Sequence, residues 1–313
     1  MEAVWRCVDD DASPHRFFLF PPLDITMPRY AFRLLNVFAE STFGGNQLAV
    51  FEDGRGLDDA TMQAIGRQFN LSETTFIFPD DADGATARFR IFTPDYEMPF
   101  AGHPSLGTAQ VVRELYGPGN ELTLRCPSGI VALTAEDDGW SLVPPFRGEP
   151  RTRAADVPAA DIAAMLQIDA ADLAGEPVWL DMGVEQLMVP VKRREAVQKA
   201  TPDLRRFASW PLNNKGTRQA YVFALPEDGG DTVLSRFFFE AGSGFLEDPG
   251  TGSACANLGG WLRATGKTLP VRYRVEQGAA VQRPCFLTLQ VDADGTVHVG
   301  GRVIEIGRGT LTI

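Results

Sequence analysis

Two short stretches decide how this chain is read: HPSLGTA, residues 103–109, and DPGTGSA, residues 248–254. Both run through Pro, Gly, a hydroxyl residue and Ala at matching offsets. Only the leading residue changes character, from the imidazole of His103 to the carboxylate of Asp248. Ordinary packing has no need of a base and an acid at equivalent places, so the pair suggests an internal duplication whose copies face one site. Arg90-Ile91-Phe92 stands ahead of His103 at nearly the spacing of Arg236-Phe237-Phe238 ahead of Asp248.

Working outward, YAFRLLNVF from Tyr30 reads as a strand, and LDDATMQAIGRQF as a helix with Asp58 or Asp59 as N-cap and Met62, Ile65 and Phe69 on one face. SETTFIF and ARFRIF, joined through DDADG, predict a hairpin. The loop TPDYEMPFAGHPS then leads to a helix over LGTAQVVRELYG that stops at Gly117. The second half repeats that order: strands QAYVFAL and LSRFFFE, the loop AGSGFLEDPG, and a helix over TGSACANLGGWLRATG stopped by Gly266. PPFRGEP, residues 144–150, is the connector by its Pro and Gly content. It divides the chain into domains at 27–145 and 146–301.

A length of 313 residues with 44% hydrophobic content supports a substantial core. The net charge of −12 and the lack of a basic stripe exclude nucleic acid as a partner. No apolar run approaches the ~18 residues of a membrane span, so no membrane association is expected. Cys7, Cys126, Cys255 and Cys285 show no CxxC spacing and no secreted-scaffold density, which points to free thiols in a reducing cytoplasm. The first 26 residues carry acids where a secretion signal needs positive charge. They read instead as a disordered extension or the product of an upstream start, with Met27 opening the regular sequence.

Gly107-Thr108-Ala109 and Gly252-Ser253-Ala254 each stand where a loop enters a helix. Small residues there let a ligand reach unpaired N–H groups, and the helix dipole favours a carboxylate. Simple capping by Thr108 and Ser253 is the local alternative. Glu73, in NLSETTF, lies at a helix-to-strand junction. Alone it would be a solvated acid, but beside a second, partly desolvated carboxylate such as Asp248 its proton affinity would rise into the useful range. The sequence has no HExxH, no Walker A, no GxSxG and no dinucleotide fingerprint, so no metal site is expected. Cys255 sits at a helix start, but the opposing copy carries Gln110, and a paired-thiol mechanism lacks its second member.

The motifs GNQLAV, NLSETTF, RIFTPDYEMPFAGHPSLGTA, EDPGTGSA, EQG and VGGRV, in that order from about Met27 onward, resemble the PhzF-like isomerase family of phenazine biosynthesis. The resemblance implies an α+β fold like diaminopimelate epimerase: two pseudo-equivalent domains, each a bent, mostly antiparallel sheet wrapped around a central helix, with the site in the cleft between them. It further implies that a final strand, 302–313, returns to the first domain, and that the protein is a homodimer needing no cofactor. Glu73 matches the family's acid/base glutamate, His103 and Asp248 its polar partners, and Gly102, Gly252 and Ser253 its substrate-holding positions. Two departures stand out: Gln47 where the family usually has Pro, and Gly250 where it usually has Ala.

Three functions follow as expectations. The first is a cofactor-independent isomerase moving a proton on a small carboxylate-bearing substrate, similar to trans-2,3-dihydro-3-hydroxyanthranilate isomerase. The second is an amino-acid-type epimerase or racemase with Glu73 and Asp248 as opposed bases. The third is a noncatalytic small-molecule-binding or scaffold protein.

Overall fold

The central helices of this chain are buried almost all round, and the strands are arranged to cover them. The computed structural model describes residues 27–79, 84–117, 119–136, 139–146, 148–227 and 229–313. The amino-terminal extension and most of the DDADG turn lie outside the described residues. The first run comprises β1 (Arg29–Val37), β2 (Asn46–Phe51), α1 (Asp59–Phe69), β3 (Glu73–Phe78), β4 (Ala87–Phe92), β5 (Glu97–Met98), α2 (Gly102–Tyr116), β6 (Glu121–Cys126), β7 (Gly129–Glu136) and β8 (Gly139–Leu142). After β9 (Arg151–Ala154) and α3 (Ala159–Met165) a second run follows. It comprises β10 (Val178–Asp181), β11 (Glu185–Val191), α4 (Arg194–Lys199), β12 (Gln219–Ala224), β13 (Thr232–Ala241), β14 (Gly244–Asp248), α5 (Gly252–Ala264), β15 (Val271–Gln277), β16 (Cys285–Val291) and β17 (Val297–Thr312).

The pairing is the same in both runs. β1 and β2 are antiparallel, β2 and β3 parallel across α1, β3 and β4 antiparallel, β4 and β5 a hairpin, and β4 and β6 parallel across α2. β10 to β15 repeat these relations with α4 and α5 as the crossovers. Short antiparallel turns then add β7 and β8 in one run, β16 and β17 in the other. The result is a mixed α+β architecture, with parallel pairs only where a helix makes the crossover.

The two runs are joined at β8 and β17, which pair antiparallel from Leu142 with Val299 to Gly139 with Arg302. The backbones approach so closely there that a Cβ on Gly139 would lie 2.2 Å from the Gly301 carbonyl oxygen. In VGGRV the first glycine answers to this crossing, since a Cβ on Gly300 would lie 2.8 Å from the Trp140 carbonyl oxygen, and the second to Phe38, whose Cδ1 would lie 2.6 Å from a Cβ on Gly301. Beyond it β17 turns onto β1, pairing from Val303 with Val37 to Thr312 with Arg29. Arg33, only 4% exposed, binds this seam to α2 through ion pairs with Glu52 at 2.6 Å, Glu305 at 3.2 Å and Glu114. A guanidinium removed from water in this way is tolerable because carboxylates take its N–H groups.

α2 packs against β1, β2, β3, β6, β8 and β17, and α5 against β10, β11, β16 and β17. Leu106, Ala109 and Val112 of α2 and Ala254, Leu258 and Leu262 of α5 belong to one buried cluster. No described helix is long and apolar enough to cross a membrane. α1 has Asp58 as its N-cap, accepting from Thr61 N, and a left-handed Asn70 at its end. One boundary differs from expectation. α2 begins at Gly102 rather than Leu106, so His103 belongs to its first turn instead of a loop. Pro104 marked a break in the sequence, but in a first turn its missing N–H has no intrahelical partner to lose.

Candidate active site

Glu73 is the first residue of β3, delivered there by the left-handed turn at Asn70 and paired in parallel with Leu48. His103 is the second residue of α2, and Asp248 ends β14 where the chain turns into α5. The fold brings the three together. His103 Nε2 lies 3.2 Å from Glu73 Oε2, with side chains 6% and 14% exposed. The approach lacks hydrogen-bond geometry, and neither atom has another partner among the described residues. A carboxyl oxygen and a ring nitrogen are thus left buried and unsatisfied, which is costly unless a ligand or a transferred proton uses them.

Asp248 is in the opposite condition. Thr251 Oγ1 donates to its Oδ2, and Asn46 Nδ2 donates to its Oδ1 at 3.0 Å. Asn46 also donates to the Gly250 carbonyl at 3.0 Å and accepts from Ser72 Oγ at 3.1 Å. Gln277 Nε2 donates to Thr251 Oγ1 at 2.9 Å and to the Asp248 carbonyl at 2.8 Å. This network crosses from the first run to the second. Sequence reasoning missed Asn46, Ser72, Thr251 and Gln277 as members. The signals were present in GNQLAV, NLSETTF and EQG, but nothing local connects the three.

The electrostatics follow from this geometry. Burial pushes the Glu73 carboxyl from an ordinary 4.5 up to about 8, and the charge of Asp248 adds to the rise. His103 moves the other way, down to about 3, because burial penalises its cation more than a hydrogen bond with the Gln47 backbone favours it. Asp248 is also raised by burial, against the pull of Thr251 and Asn46. Near neutral pH the site therefore holds a neutral imidazole beside a carboxyl group poised to lose or take a proton.

The amino ends of α2 and α5 meet head to head. A Cβ on Gly102 would lie 3.4 Å from Gly252 Cα, and the converse distance is the same. Their N-caps, Ala101 and Thr251, make no side-chain cap bonds, so both ends keep N–H groups free of capping side chains. Capping by Thr108 and Ser253 is overturned: Thr108 lies inside α2 bonded to Thr75 Oγ1 at 2.9 Å, and Ser253 accepts from Gln186 Nε2 at 3.0 Å.

The register of the duplication is corrected as well. Arg90 pairs with Glu97, and Arg236 with Glu247, so EMPFAGH corresponds to EDPGTGS. His103 therefore answers to Ser253 rather than to Asp248, and Cys255 to Ser105 rather than to Gln110. The similarity of HPSLGTA to DPGTGSA reflected shared small residues, whereas the helix starts at Gly102 and Gly252 set the true correspondence. A second thiol is still missing opposite Cys255. Cys126, Cys255 and Cys285 are free and buried, with burial raising the Cys255 and Cys285 thiols well above their ordinary range.

Phe38, fully buried with a left-handed φ of 61°, forms the floor between these elements. Its ring centroid is 6.5 Å from that of His103. A Cβ on Gly250 would sit 2.7 Å from Cys285 Sγ and 3.1 Å from Phe38 Cδ2, which explains glycine in place of the usual alanine. On the other side, Gly102, Gly252 and Ser253 open into a crevice with apolar walls that include Phe100, Leu142 and Met182. Among the described residues no group of three or more His, Cys, Asp or Glu side chains is placed to hold a metal ion.

Comparison with known proteins identifies the family. A model of the phenazine biosynthesis-like protein family matches residues 35–309. An uncharacterized isomerase of Pasteurella multocida is 37% identical, the match covering 91% of this chain and 94% of that one. The trans-2,3-dihydro-3-hydroxyanthranilate isomerase of Pseudomonas fluorescens is 31% identical, covering 90% and 98% respectively. Among solved structures, a PhzF-family phenazine biosynthesis protein of Bacillus anthracis superposes with a TM-score of 0.79 at 22% identity, over 92% of this chain and all of that one.

Proposed function

This chain belongs to the phenazine biosynthesis-like protein family, and on that premise we propose that it is a cofactor-independent isomerase that moves a proton between carbons of a small carboxylate-bearing ring. The observation that carries this reading is the Glu73 carboxyl, buried and unpartnered at Oε2, with a pKa near 8. The reference substrate is the one its Pseudomonas fluorescens relative is named for, trans-2,3-dihydro-3-hydroxyanthranilate.

In this reading the substrate carboxylate rests at the facing starts of α2 and α5, held by N–H groups and Ser253. The ring then lies over Glu73 and Phe38. Glu73 as carboxylate takes the proton from the hydroxyl-bearing ring carbon, and the C–H electron pair moves into the conjugated ring. The carboxylic acid so formed returns the same proton at another ring carbon, and the remaining enol becomes a ketone. No atom is gained or lost, and no electron acceptor is needed. His103 stays neutral and supports the proton on Glu73, while Asp248 engages the substrate's hydroxyl and amino groups.

An epimerase of this design would need two exchangeable bases. Glu73 has an unpartnered oxygen, whereas each oxygen of Asp248 already accepts one hydrogen bond, from Asn46 or Thr251, and keeps its other lone pair for a substrate donor, which favours one shuttle over two opposed ones. The division into lobes at 27–145 and 146–301, with the cleft between them, belongs to the same reading.

Incubating the protein with trans-2,3-dihydro-3-hydroxyanthranilate in deuterated water tests this. NMR is expected to show shifted ring double bonds, with deuterium only at carbons that gain hydrogen: the one protonated as the enol becomes the ketone, which draws on solvent, and, to the extent that Glu73 exchanges its proton, the one that Glu73 protonates. Deuterium at one stereocentre without a double-bond shift would identify an epimerase instead. Binding without conversion would identify a binding protein.

A further inference from the structure

The hydroxyl of Ser253 has its direction set by two buried amides that the mechanism above does not use. Asn257, in the second turn of α5, is oriented by the backbone of the 180–184 turn. Met182 N donates to its Oδ1 at 3.0 Å, and its Nδ2 donates to the carbonyls of Val184 at 2.9 Å and Leu180 at 3.1 Å. Turning this amide over would set oxygen against two carbonyls and NH2 against an N–H, so the backbone decides its orientation. The same NH2 has two protons for three acceptors, and the shortest of its contacts is to Gln186 Oε1, at 2.7 Å, so that one of the carbonyls shares a proton. The Gln186 NH2 must then face away from Asn257, and it donates to Ser253 Oγ at 3.0 Å. Gln186 and Asn257 are each 1% exposed.

A serine hydroxyl has one proton to give. With Gln186 occupying Ser253 Oγ as a donor, and no described residue accepting from it, the hydroxyl proton is left to point into the crevice, which Ser253 lines beside Gly102, Met182, Gly183 and Val184. Thr251 would be the natural residue to cap α5, but its hydroxyl is given to Asp248, so the same helix start keeps its N–H groups open.

We propose that Gln186, aligned by Asn257, is a positioning residue that makes the Ser253 hydroxyl an obligate donor to a ligand carboxylate at the start of α5. This rests on the reading that a carboxylate binds there. Asn257 ties the donor to the crevice wall, because the turn it holds is the one that carries Met182, Gly183 and Val184.

Calorimetry with two unreactive probes tests it: 3-hydroxyanthranilate, which carries the carboxylate, and its primary amide, which does not. Gln186→Leu is expected to weaken the acid about tenfold, in line with a lost hydrogen bond to a charged group, and to change amide binding less than about twofold. Gln186→Leu leaves Asn257 with its backbone partners. In a Ser253→Ala background the same substitution is expected to be silent, since its effect passes through that hydroxyl.

Gln186→Glu provides a second variant. Its carboxylate would accept from Ser253 and turn the proton away, so acid binding relative to wild type should fall at high pH and recover as the introduced carboxyl protonates. Equal loss for acid and amide, an undiminished effect in the Ser253→Ala background, or a silent Gln186→Leu in a wild type that prefers the acid would overturn the positioning role alone. A wild type with no preference for the acid would overturn the carboxylate reading, and this inference with it.

Discussion

Glu73→Gln is expected to lower kcat on trans-2,3-dihydro-3-hydroxyanthranilate by on the order of 10³-fold or more, at the upper end of what a positioned acid/base contributes, while the affinity for a carboxylate analogue stays within a few fold. In the proposed reading, carboxylate recognition belongs to the facing starts of α2 and α5 and to Ser253, whereas Glu73, on β3, acts only on the proton. Glutamine keeps the size of the side chain and places no charge beside His103 Nε2, so the fold and the neutral imidazole are preserved. Rate and dissociation constants measured on the same preparations decide it. A variant with more than a tenth of the wild-type rate would remove Glu73 from the mechanism, and one that loses rate and affinity together would make it a binding residue.

The same substitution should stabilise the protein in alkaline solution. Glu73 has a folded pKa near 8 against an ordinary 4.5, so between those values the folded chain holds a proton that the unfolded chain has released. Stability attributable to Glu73 is therefore full below about pH 4.5 and is lost as pH rises toward 8, at up to about 1.4 kcal/mol per pH unit. His103 has the reverse sign. Its folded pKa is near 3 against an ordinary 6.5, so the unfolded chain takes up the proton first, and stability is lost as pH falls from 6.5 toward 3.

Between 4.5 and 6.5 the two slopes oppose each other, and above 6.5 only Glu73 acts. Denaturant titrations from pH 5 to 9 should show Glu73→Gln gaining on wild type up to pH 8 and then holding a constant lead. Parallel curves over that range would mean that Glu73 ionises as an ordinary surface acid.

Much of this site was legible in the sequence, but unevenly. Glu73, His103, Asp248, Gly102, Gly252 and Ser253 all stand in long, ordered motifs, and the fold brings them into one region. α1 was read to within a residue because its apolar face is separate from its polar one. α2 was entered too late, since a helix buried nearly all round has no such periodicity and Pro104 obscured its first turn. The duplication itself was visible, yet its register was not: composition favoured aligning His103 with Asp248, and only the pairings of Arg90 with Glu97 and Arg236 with Glu247 set it right.

The supporting polar network was out of reach for a different reason. Asn46, Asp248 and Gln277 come from three strands or turns distant in sequence, and Gln186 meets Asn257 across a strand and a helix. Such contacts depend on tertiary packing, and no local pattern encodes them. Phe38 was hidden likewise, because its left-handed backbone has no signature in a bulky side chain.

The central claim is that one buried carboxyl, Glu73, carries the proton, and its titration is the most direct measurement. With glutamate labelled at the side-chain carboxyl carbon, the Glu73 signal can be assigned by its absence in Glu73→Gln and followed by ¹³C NMR across pH. A midpoint near 8 that falls in Asp248→Asn is the expected result, since burial and the charge of Asp248 are the two causes of the rise. A midpoint near the ordinary 4.5, unmoved by Asp248→Asn, would contradict it and leave the site without its shuttle.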